Sequence, residues 1–449
     1  MKLFILNALC FLLAWLPIPL GSYRPWAFFI FSFCIFLLFL THLFLVFKHK
    51  KKLLPPRYSA WLLAPLLAVI SVLIIQIIPG IVQPQQTIHT INHLTTLSID
   101  TMQTKITLLK TVTLFVFSWL LFSYCKQHQQ LKKVSYAIIA GGLLQALYAI
   151  YLNLNPDFYS VIFNYSYEKN ATGSFTYKNF LANYLAMCLA LGIGVLISQL
   201  SLTRSGKSYR EKARGLLMVI LSTKILLRSA LILMIIALIL TRSRMGNSAF
   251  FISLALVSIF SFFYYNKKPI NLRALIISFF ILDLLIVGAM FGVEKVKERL
   301  LETSLSSETR DEVVRDSLPI IKDHLLLGTG GGTFYTAFPK YQPEPYSGYY
   351  DNAHNDYIQF TVEFGLPVTL ILGLMIISAF IMACKVMIKR KTPLYQGVAF
   401  GGAVAIIHMV LHSTVDYSLQ AGANSVTFIT ILALVIMSAN LARMKTDYS

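Results

Sequence analysis

The chain has 449 residues and a net charge of +20, and 56% of its residues are hydrophobic whereas only 13% are charged. Apolar runs of about 20 residues recur along its whole length and match the hydrocarbon thickness of a bilayer, which excludes a soluble globular protein. Most of the positive charge lies in alternate loops, as the positive-inside rule describes, so the charge does not indicate nucleic-acid binding.

Taken in chain order, the apolar runs predict an all-α fold, a polytopic transmembrane helical bundle with about 12 spans in one domain, 1–449. The predicted spans cover residues 3–20, 26–47, 60–82, 106–124, 134–153, 177–200, 225–241, 248–265, 274–293, 361–384, 395–415 and 424–442. Basic clusters such as KHKKK (48–52) and KVMIKRK (385–391) follow every second span. Both termini are therefore predicted to be cytoplasmic.

The segment TGSFTYKNFLANYLA (172–186) enters the sixth span from the outer side and carries Lys178 and Asn179 at its start. One interpretation is an interfacial cap followed by a polar packing stripe between helices. The other is a wall of a cavity for sugar or phosphate, which makes both residues candidate substrate-binding groups.

The motif TRSRMGN (241–247) forms a very short outer turn that carries Arg242 and Arg244. Arginines on the outer side are unexpected, because the positive charges of this chain otherwise lie mostly on the inner side. Snorkelling towards lipid headgroups is the favoured interpretation for Arg242, although it remains a candidate for substrate binding. For Arg244 we favour anion binding, because a guanidinium suits a phosphate group.

Residues 294–360 form a large outer loop, far longer than an ordinary connection, and its composition predicts a folded helical cap rather than disorder. An apolar stripe indicates an amphipathic helix that begins near Arg310. Arg310 is either a solvated surface charge or a cationic group that attracts an anion. The glycine-rich GTGGG (328–332) lacks the ending of a phosphate-binding loop and is interpreted as a sharp turn.

The stretch DNAHNDYIQF (351–360) is strongly polar although it immediately precedes a predicted span. His354 can act as a general base or acid near neutral pH. A helix cap supplied by Asn355 or Asp356 explains the flanking residues but not the histidine. Glu363 is either an orienting partner for the site or an interfacial carboxylate. Asn355, Asp356 and Glu363 are candidate substrate-binding residues.

The segment HMVLHSTVD (408–416) places His408, His412 and Asp416 on one helix face. This spacing allows two metal ligands with a third nearby, but spacing alone is a weak signal. A hydrogen-bonded polar seam between helices is the favoured interpretation, and we assign no metal.

Several of these segments, in this order, resemble the O-antigen ligase and polymerase superfamily of bacteria. The resemblance covers essentially the whole chain and is carried by TGSFTYKNFLANYL, TRSRMGN, DHLLLGTGGGTF, HNDYIQFTVEFG and HSTVDYSLQAGAN. It implies a metal-independent membrane glycosyltransferase without a cofactor, in which Arg244 and Arg310 contact pyrophosphate and His354 is catalytic. The HND flank and the VDYSLQAGAN ending look more like polymerase-type members than ligases.

The resemblance implies transfer of a glycan from undecaprenyl pyrophosphate to an acceptor hydroxyl, which belongs to another glycan or to lipid A-core. It also implies a multi-pass protein of the bacterial inner (cytoplasmic) membrane whose active site and cap face the periplasm. A flippase and a chain-length regulator are implied as partners. Two alternatives remain open from the sequence: a flippase or other transporter of lipid-linked oligosaccharide, and a protein O-oligosaccharyltransferase.

Overall fold

The computed structural model describes residues 2–49, 54–80, 96–155, 160, 170–199, 223–265, 310–343 and 350–442, and in these ranges all regular structure is helical. The α-helices are α1 Lys2–Trp15, α2 Pro25–Lys48, α3 Ala60–Ile77, α4 Thr101–Tyr124, α5 His128–Leu154, α6 Lys178–Ser198, α7 Thr223–Leu240, α8 Arg244–Tyr264, α9 Arg310–Asp323, α10 Phe334–Ala337, α11 Asp356–Phe364, α12 Leu366–Lys389, α13 Pro393–His412 and α14 Gly422–Asn440. Short 3-10 helices cover Leu20–Ser22, Arg57–Ser59, Phe338–Lys340 and Ser418–Gln420.

In the described part of the chain, 9 helices are long and apolar enough to cross a membrane: α2 to α6, α8 and α12 to α14. Each coincides with a predicted span. The predicted spans 3–20 and 225–241 coincide with the shorter apolar helices α1 and α7, and 274–293 lies outside the described residues. The total of about 12 spans and the cytoplasmic termini therefore remain predictions.

One predicted span begins later than the sequence suggested. Residues 361–364 belong to the short helix α11, and the spanning helix α12 begins at Leu366. Gly365 has a φ of 82°, which no helix accommodates, and Pro367 stands at the start of α12, where proline is well tolerated. Glu363 consequently lies in a short helix before the span and not inside it.

Helices α6 and α13 form the centre of the bundle. Almost all of their side chains are buried, and α13 also packs against α8, α12 and α14. Gly194 of α6 faces Gly397 and Gly401 of α13 so closely that a Cβ on Gly397 would overlap the Gly194 carbonyl oxygen. Small residues thus allow the two backbones to approach, as is common between membrane helices.

A small second core holds together what we call the cap, the described residues 310–343 and 350–364. Helices α9, α10 and α11 bury apolar side chains against one another, among them Val313, Ile320, Phe334, Phe338 and Val362. This core forms because α9 and α11 each present one apolar face, which must be covered when the helix folds.

The glycine-rich loop fixes the cap to the bundle. Gly328, Gly330 and Gly332 have φ values of 69°, 117° and 73°, a region that glycine adopts without steric cost. Gln76, near the end of α3, donates through Nε2 to the carbonyl oxygens of Leu327 and Glu363. The loop thus lies between α3 and α11, in agreement with its interpretation as a turn.

Candidate functional site

The cap covers one end of the bundle, which we call the cap end. The cap contacts the end of α3 through Gln76, the start of α4 through Asp100, and the end of α13 through Ser413. The turn between α7 and α8 lies at the same end, because the Ala171 amide, just before α6, donates to the Leu240 carbonyl oxygen at 3.1 Å. The helix ends that the charge pattern assigns to the outer side are therefore together.

Two flanking residues anchor the loop that carries His354. The Asn355 side chain caps α11 by accepting hydrogen bonds from the amides of Tyr357 and Ile358, and it donates to the Thr414 carbonyl oxygen at 3.0 Å. The Asp356 amide donates to the carbonyl oxygens of Ser413 and Asp416. These bonds tie the loop to the segment between α13 and α14.

The carboxyl group of Asp356 is buried and serves the same anchor. It accepts a hydrogen bond of 2.9 Å from Ser413 Oγ and is only 2% exposed. Burial raises the pKa of Asp356 well above its usual range, with a further contribution from the nearby negative charge of Asp416. Asn355, which the sequence offered as one possible helix cap, fills that role, and Asp356 packs beneath the loop.

His354 itself is half-buried and has a φ of 49°. Residues other than glycine rarely adopt this conformation, and it persists only where the surroundings fix it. The ring meets Tyr417 edge-on, with 4.8 Å between the ring centroids and an interplanar angle of 88°. The anchored loop and Tyr417 therefore give the imidazole a defined position at the cap end.

Tyr417 belongs to an aromatic cluster that links His354 to α6. Its ring stacks on Tyr177 and meets Phe180 edge-on, and Phe180 also packs against Tyr23. Burial raises the pKa of Tyr417, so its hydroxyl keeps its proton throughout the neutral range.

Asn179, at the start of α6, connects this cluster to the anchor segment. Its side-chain amide donates to Asp416 Oδ2 and, at 2.9 Å, to the hydroxyl of Tyr177. Lys178, the first residue of α6, is half-buried beside it. The structure thus brings Asn179 and Asp416, which are far apart in the sequence, to the neighbourhood of His354.

Arg242 and Arg244 lie in the turn before α8 and at the start of that helix, at the cap end. Arg244 is exposed at the first residue of α8, where Ser243 Oγ caps the helix by accepting from the Gly246 amide at 3.2 Å. Arg242 is also exposed and has a φ of 50°. Neither forms an ion pair within the described ranges. Arg310 begins α9, but its side chain lies outside the described residues.

The histidines of α13 form a polar seam. His408 Nε2 is 2.9 Å from Asn183 Oδ1 of α6, and His412 Nδ1 is 3.3 Å from Ser418 Oγ. Within the described residues, no group of three or more His, Cys, Asp or Glu side chains is arranged to hold a metal ion. The contacts agree with the favoured interpretation of a seam between helices.

A polar cavity of about 330 Å³ opens at the cap end next to this region. Its lining includes Tyr23, Arg24, Gln103, Lys110, Tyr335, Asp351, Asn352, Gln359, Glu363 and Gln420. Asn352 hydrogen-bonds to the Tyr23 side chain, which connects the cavity wall to the aromatic cluster. The lining residue Asn352 therefore stands two residues before His354 in the chain.

Glu363 lies deep in this cavity wall and is 1% exposed. Burial raises the pKa of Glu363 from 4.5 to about 7. Hydrogen bonds from Gly332, Phe334 and Gln359 and the positive charge of Lys110 act in the opposite direction but are outweighed. Gln359 Nε2 donates to Glu363 Oε1 at 2.6 Å.

Residues 229–373 match a family model described as O-antigen ligase. This segment of the chain is similar to the O-antigen ligase family. The resemblance to the O-antigen ligase and polymerase superfamily is thereby confirmed. No curated protein matches the chain. The match and the long apolar helices together indicate a multi-pass membrane protein with a segment similar to O-antigen ligases.

The matched segment contains Arg242, Arg244, Arg310, His354 and Glu363, and residues outside it also lie near His354. Lys178 and Asn179 precede the matched residues, and Asp416 and Tyr417 follow them. Both flanks of the matched segment therefore supply side chains to the surroundings of His354.

Three residues of this region were missed by the sequence reasoning as site candidates: Tyr23, Lys110 and Tyr417. Only Lys110 gave a signal, as a lysine within a predicted span, where a charge usually has a function. Tyr23 and Tyr417 are ordinary interfacial tyrosines in the sequence. Only the packing of distant segments brings Tyr417 to His354 and Tyr23 to Phe180.

Proposed function

We propose that the protein transfers a glycan from an undecaprenyl-pyrophosphate donor to an acceptor hydroxyl on the periplasmic face of the inner membrane, without a metal ion. The observation that carries the proposal is the position of His354, which an anchored loop holds in a rare backbone conformation within the segment that matches the O-antigen ligase family. The proposed partners are those of the pathway, a flippase and a chain-length regulator.

In the proposed reaction, His354 accepts the proton of the acceptor hydroxyl as its oxygen attacks the anomeric carbon of the donor sugar. The bond between that carbon and the pyrophosphate oxygen breaks, and undecaprenyl pyrophosphate leaves with the bonding electrons. An imidazole is suited to this proton transfer near neutral pH. The attack adds the glycan to the acceptor and leaves one new glycosidic bond.

Arg244 and Arg310 are proposed to stabilise the negative charge that develops on the leaving pyrophosphate. A guanidinium keeps its charge and can form two parallel hydrogen bonds to a phosphate. The exposed position of Arg244 at a helix start leaves its side chain accessible to such a ligand. We propose substrate contacts for Arg242, Lys178 and Asn179, with Asn355, Asp356 and Glu363 contributing to the same region.

The test is glycan transfer by purified protein carrying His354→Ala, compared with His49→Ala, which changes an exposed histidine outside the site. We expect His354→Ala to lower the transfer rate by at least about 100-fold, the usual contribution of a general base, and His49→Ala to leave it unchanged. Full transfer by His354→Ala would refute the role of the histidine.

The same variants distinguish the two types of enzyme in cells. A strain with a defective polymerase should accumulate acceptors that carry a single repeat, whereas a strain with a defective ligase should keep long chains on the lipid. The sequence features around His354 and Asp416 favour the polymerase outcome.

A further inference from the structure

The polar cavity at the cap end continues into an apolar cavity within the bundle. The apolar cavity has a volume of about 150 Å³ and lies between α4, α12 and α14. Thr107, Lys110, Glu363 and Gln420 line both cavities. Lys110 therefore stands at a boundary between a hydrophilic space and a hydrophobic one.

Lys110 carries its charge inside the spanning helix α4, where an ammonium group is costly unless it is paired. Among the described residues, none lies within hydrogen-bond or ion-pair distance of its Nζ. Glu363 attracts it electrostatically but directs Oε1 to Gln359 at 2.6 Å. An ammonium group at such a boundary is suited to an anionic ligand.

The two cavities differ in chemistry on either side of Lys110. The polar cavity presents the side-chain amides of Gln103, Asn352 and Gln420, which can each donate and accept hydrogen bonds, as hydroxyl groups require. The apolar cavity is lined by aliphatic and aromatic side chains, including Leu372, Met375, Ile376, Phe428 and Ile429.

Along this path, side-chain amides and Arg24 line the polar cavity, Lys110 and Gln420 stand at the boundary, and mostly apolar side chains line the second cavity. A lipid-linked glycan has the same order of sugar, phosphate and isoprenoid chain. We propose that Lys110 binds the phosphate of an isoprenoid-linked glycan, with the sugar in the polar cavity and the start of the isoprenoid in the apolar cavity. The identity of the ligand as a lipid-linked glycan rests on the proposed function.

Lys110 is proposed as a phosphate contact additional to Arg244 and Arg310, which are assigned to the leaving pyrophosphate of the same lipid. The lining of the polar cavity includes neither His354 nor Arg244, although Asn352 lies only two residues before the histidine. The proposal therefore adds Lys110 as a substrate-binding residue contributed by α4, far outside the matched segment.

The experiment measures binding of undecaprenyl pyrophosphate to the full-length protein in phosphatidylcholine nanodiscs by native mass spectrometry. Lys110→Met removes the charge and should weaken binding at least about tenfold, the effect of losing a charge-assisted hydrogen bond. Lys110→Arg should stay within about threefold of the natural protein. Lys105→Met, an exposed lysine on the same helix, serves as the matched control and should bind normally.

A second pair of measurements tests the sugar end. Gln103→Ala, which changes an amide that lines the polar cavity and not the apolar one, should weaken binding of the glycan-bearing lipid several-fold more than that of bare undecaprenyl pyrophosphate. Phosphatidylglycerol and inorganic phosphate are added as competitors. If phosphatidylglycerol displaces the isoprenoid lipid at equal concentration, Lys110 binds anionic lipids in general and the proposal is wrong.

Binding and transfer are separate measurements, so the two proposals can fail independently. Normal binding by Lys110→Met would overturn the Lys110 site even where His354→Ala abolishes transfer. Conversely, if binding depends on Lys110 but the protein transfers no glycan, the proposed Lys110 site stands and the proposed transferase function is wrong. His354→Ala should bind undecaprenyl pyrophosphate as the natural protein does.

Discussion

His354 occupies a backbone region that costs most residues about 1 kcal/mol or more. A glycine could adopt this backbone conformation without the cost, and the bonds that anchor the loop come from Asn355 and Asp356, so the loop does not need a histidine here for its structure. The strain therefore supports a function for the imidazole itself.

We expect His354→Gly to be more stable than His354→Ala by about 1 kcal/mol, because glycine adopts a positive φ without a steric penalty. Both variants lose the contact with Tyr417, so this contact does not affect the comparison. Chemical unfolding in detergent measures the difference, and neither variant should transfer glycan. Equal stabilities would mean that His354 is not strained.

Glu363 gives the protein a dependence on pH. Its pKa is about 7 in the folded protein against 4.5 for an ordinary glutamate, so the folded form keeps the proton to higher pH than the unfolded form. The stabilisation is fully present below about pH 4.5 and is lost as the pH rises to about 7, by up to roughly 3 kcal/mol.

Glu363→Gln should remove the part of the pH dependence of stability that Glu363 causes, whether or not the variant is more stable overall. The midpoint of thermal unfolding is measured between pH 4.5 and 8, and the natural protein should lose stability over that range more steeply than the variant. Asp351→Asn, which changes an exposed acid of the same cavity, should keep the steep profile. Parallel profiles for the natural protein and Glu363→Gln would contradict the assignment.

At the residue scale, the sequence indicates candidate residues but not the contacts they make. His354 is a candidate because a histidine flanked by Asp and Asn residues is not expected in an apolar core. That Asn179 meets Asp416, or that Tyr417 meets His354, depends on how distant helices pack, which no local pattern records.

At the scale of elements, the contact between α6 and α13 determines the geometry of the site. The start of α6 carries Asn179, and the end of α13 leads into Asp416, and these two residues hydrogen-bond to each other. A change in the distance between the helices would therefore move the surroundings of His354.

Gly397→Ala should separate the two helices, because its Cβ would overlap the backbone carbonyl of Gly194. We expect a loss of about 1–3 kcal/mol of unfolding free energy, as for other overpacked cores, together with reduced transfer. Gly373→Ala on α12 is the control, since a Cβ there meets nothing within 4 Å. Gly373→Ala should be neutral or stabilise the protein by about 0.5–1 kcal/mol. If both substitutions destabilise the protein equally, this view of the interface is wrong.

The sequence predicted long elements well and their breaks less well. Apolar length alone located the nine long helices. The break at Gly365 was missed because the residues on both sides of it are apolar, so hydropathy continues across a change of backbone conformation.

At the scale of the whole molecule, the candidate groups favour an enzyme over a transporter. His354, the arginines of the short turn and the polar cavity all lie at the cap end. A transporter is expected to keep its polar groups near the middle of the bilayer and to expose them to both sides in turn. Lys110, a charge within a described span, lines a cavity that opens at the cap end. Asp283, an acidic residue within the predicted span 274–293, lies outside the described residues.

Labelling of single cysteines tests both the predicted orientation and this distinction. After replacement of the two partly exposed cysteines, Cys34 and Cys384, a cysteine is introduced at Asp351, Lys322 or Lys391, which are all exposed. In intact cells with a permeable outer membrane, an impermeant maleimide should label Asp351→Cys and Lys322→Cys, but not Lys391→Cys. In inverted vesicles the pattern should reverse, because an enzyme with its site on one side never presents Asp351 to the cytoplasm. Labelling of Asp351→Cys from both sides, with Lys322→Cys labelled from one, would instead require alternating access and favour the transporter.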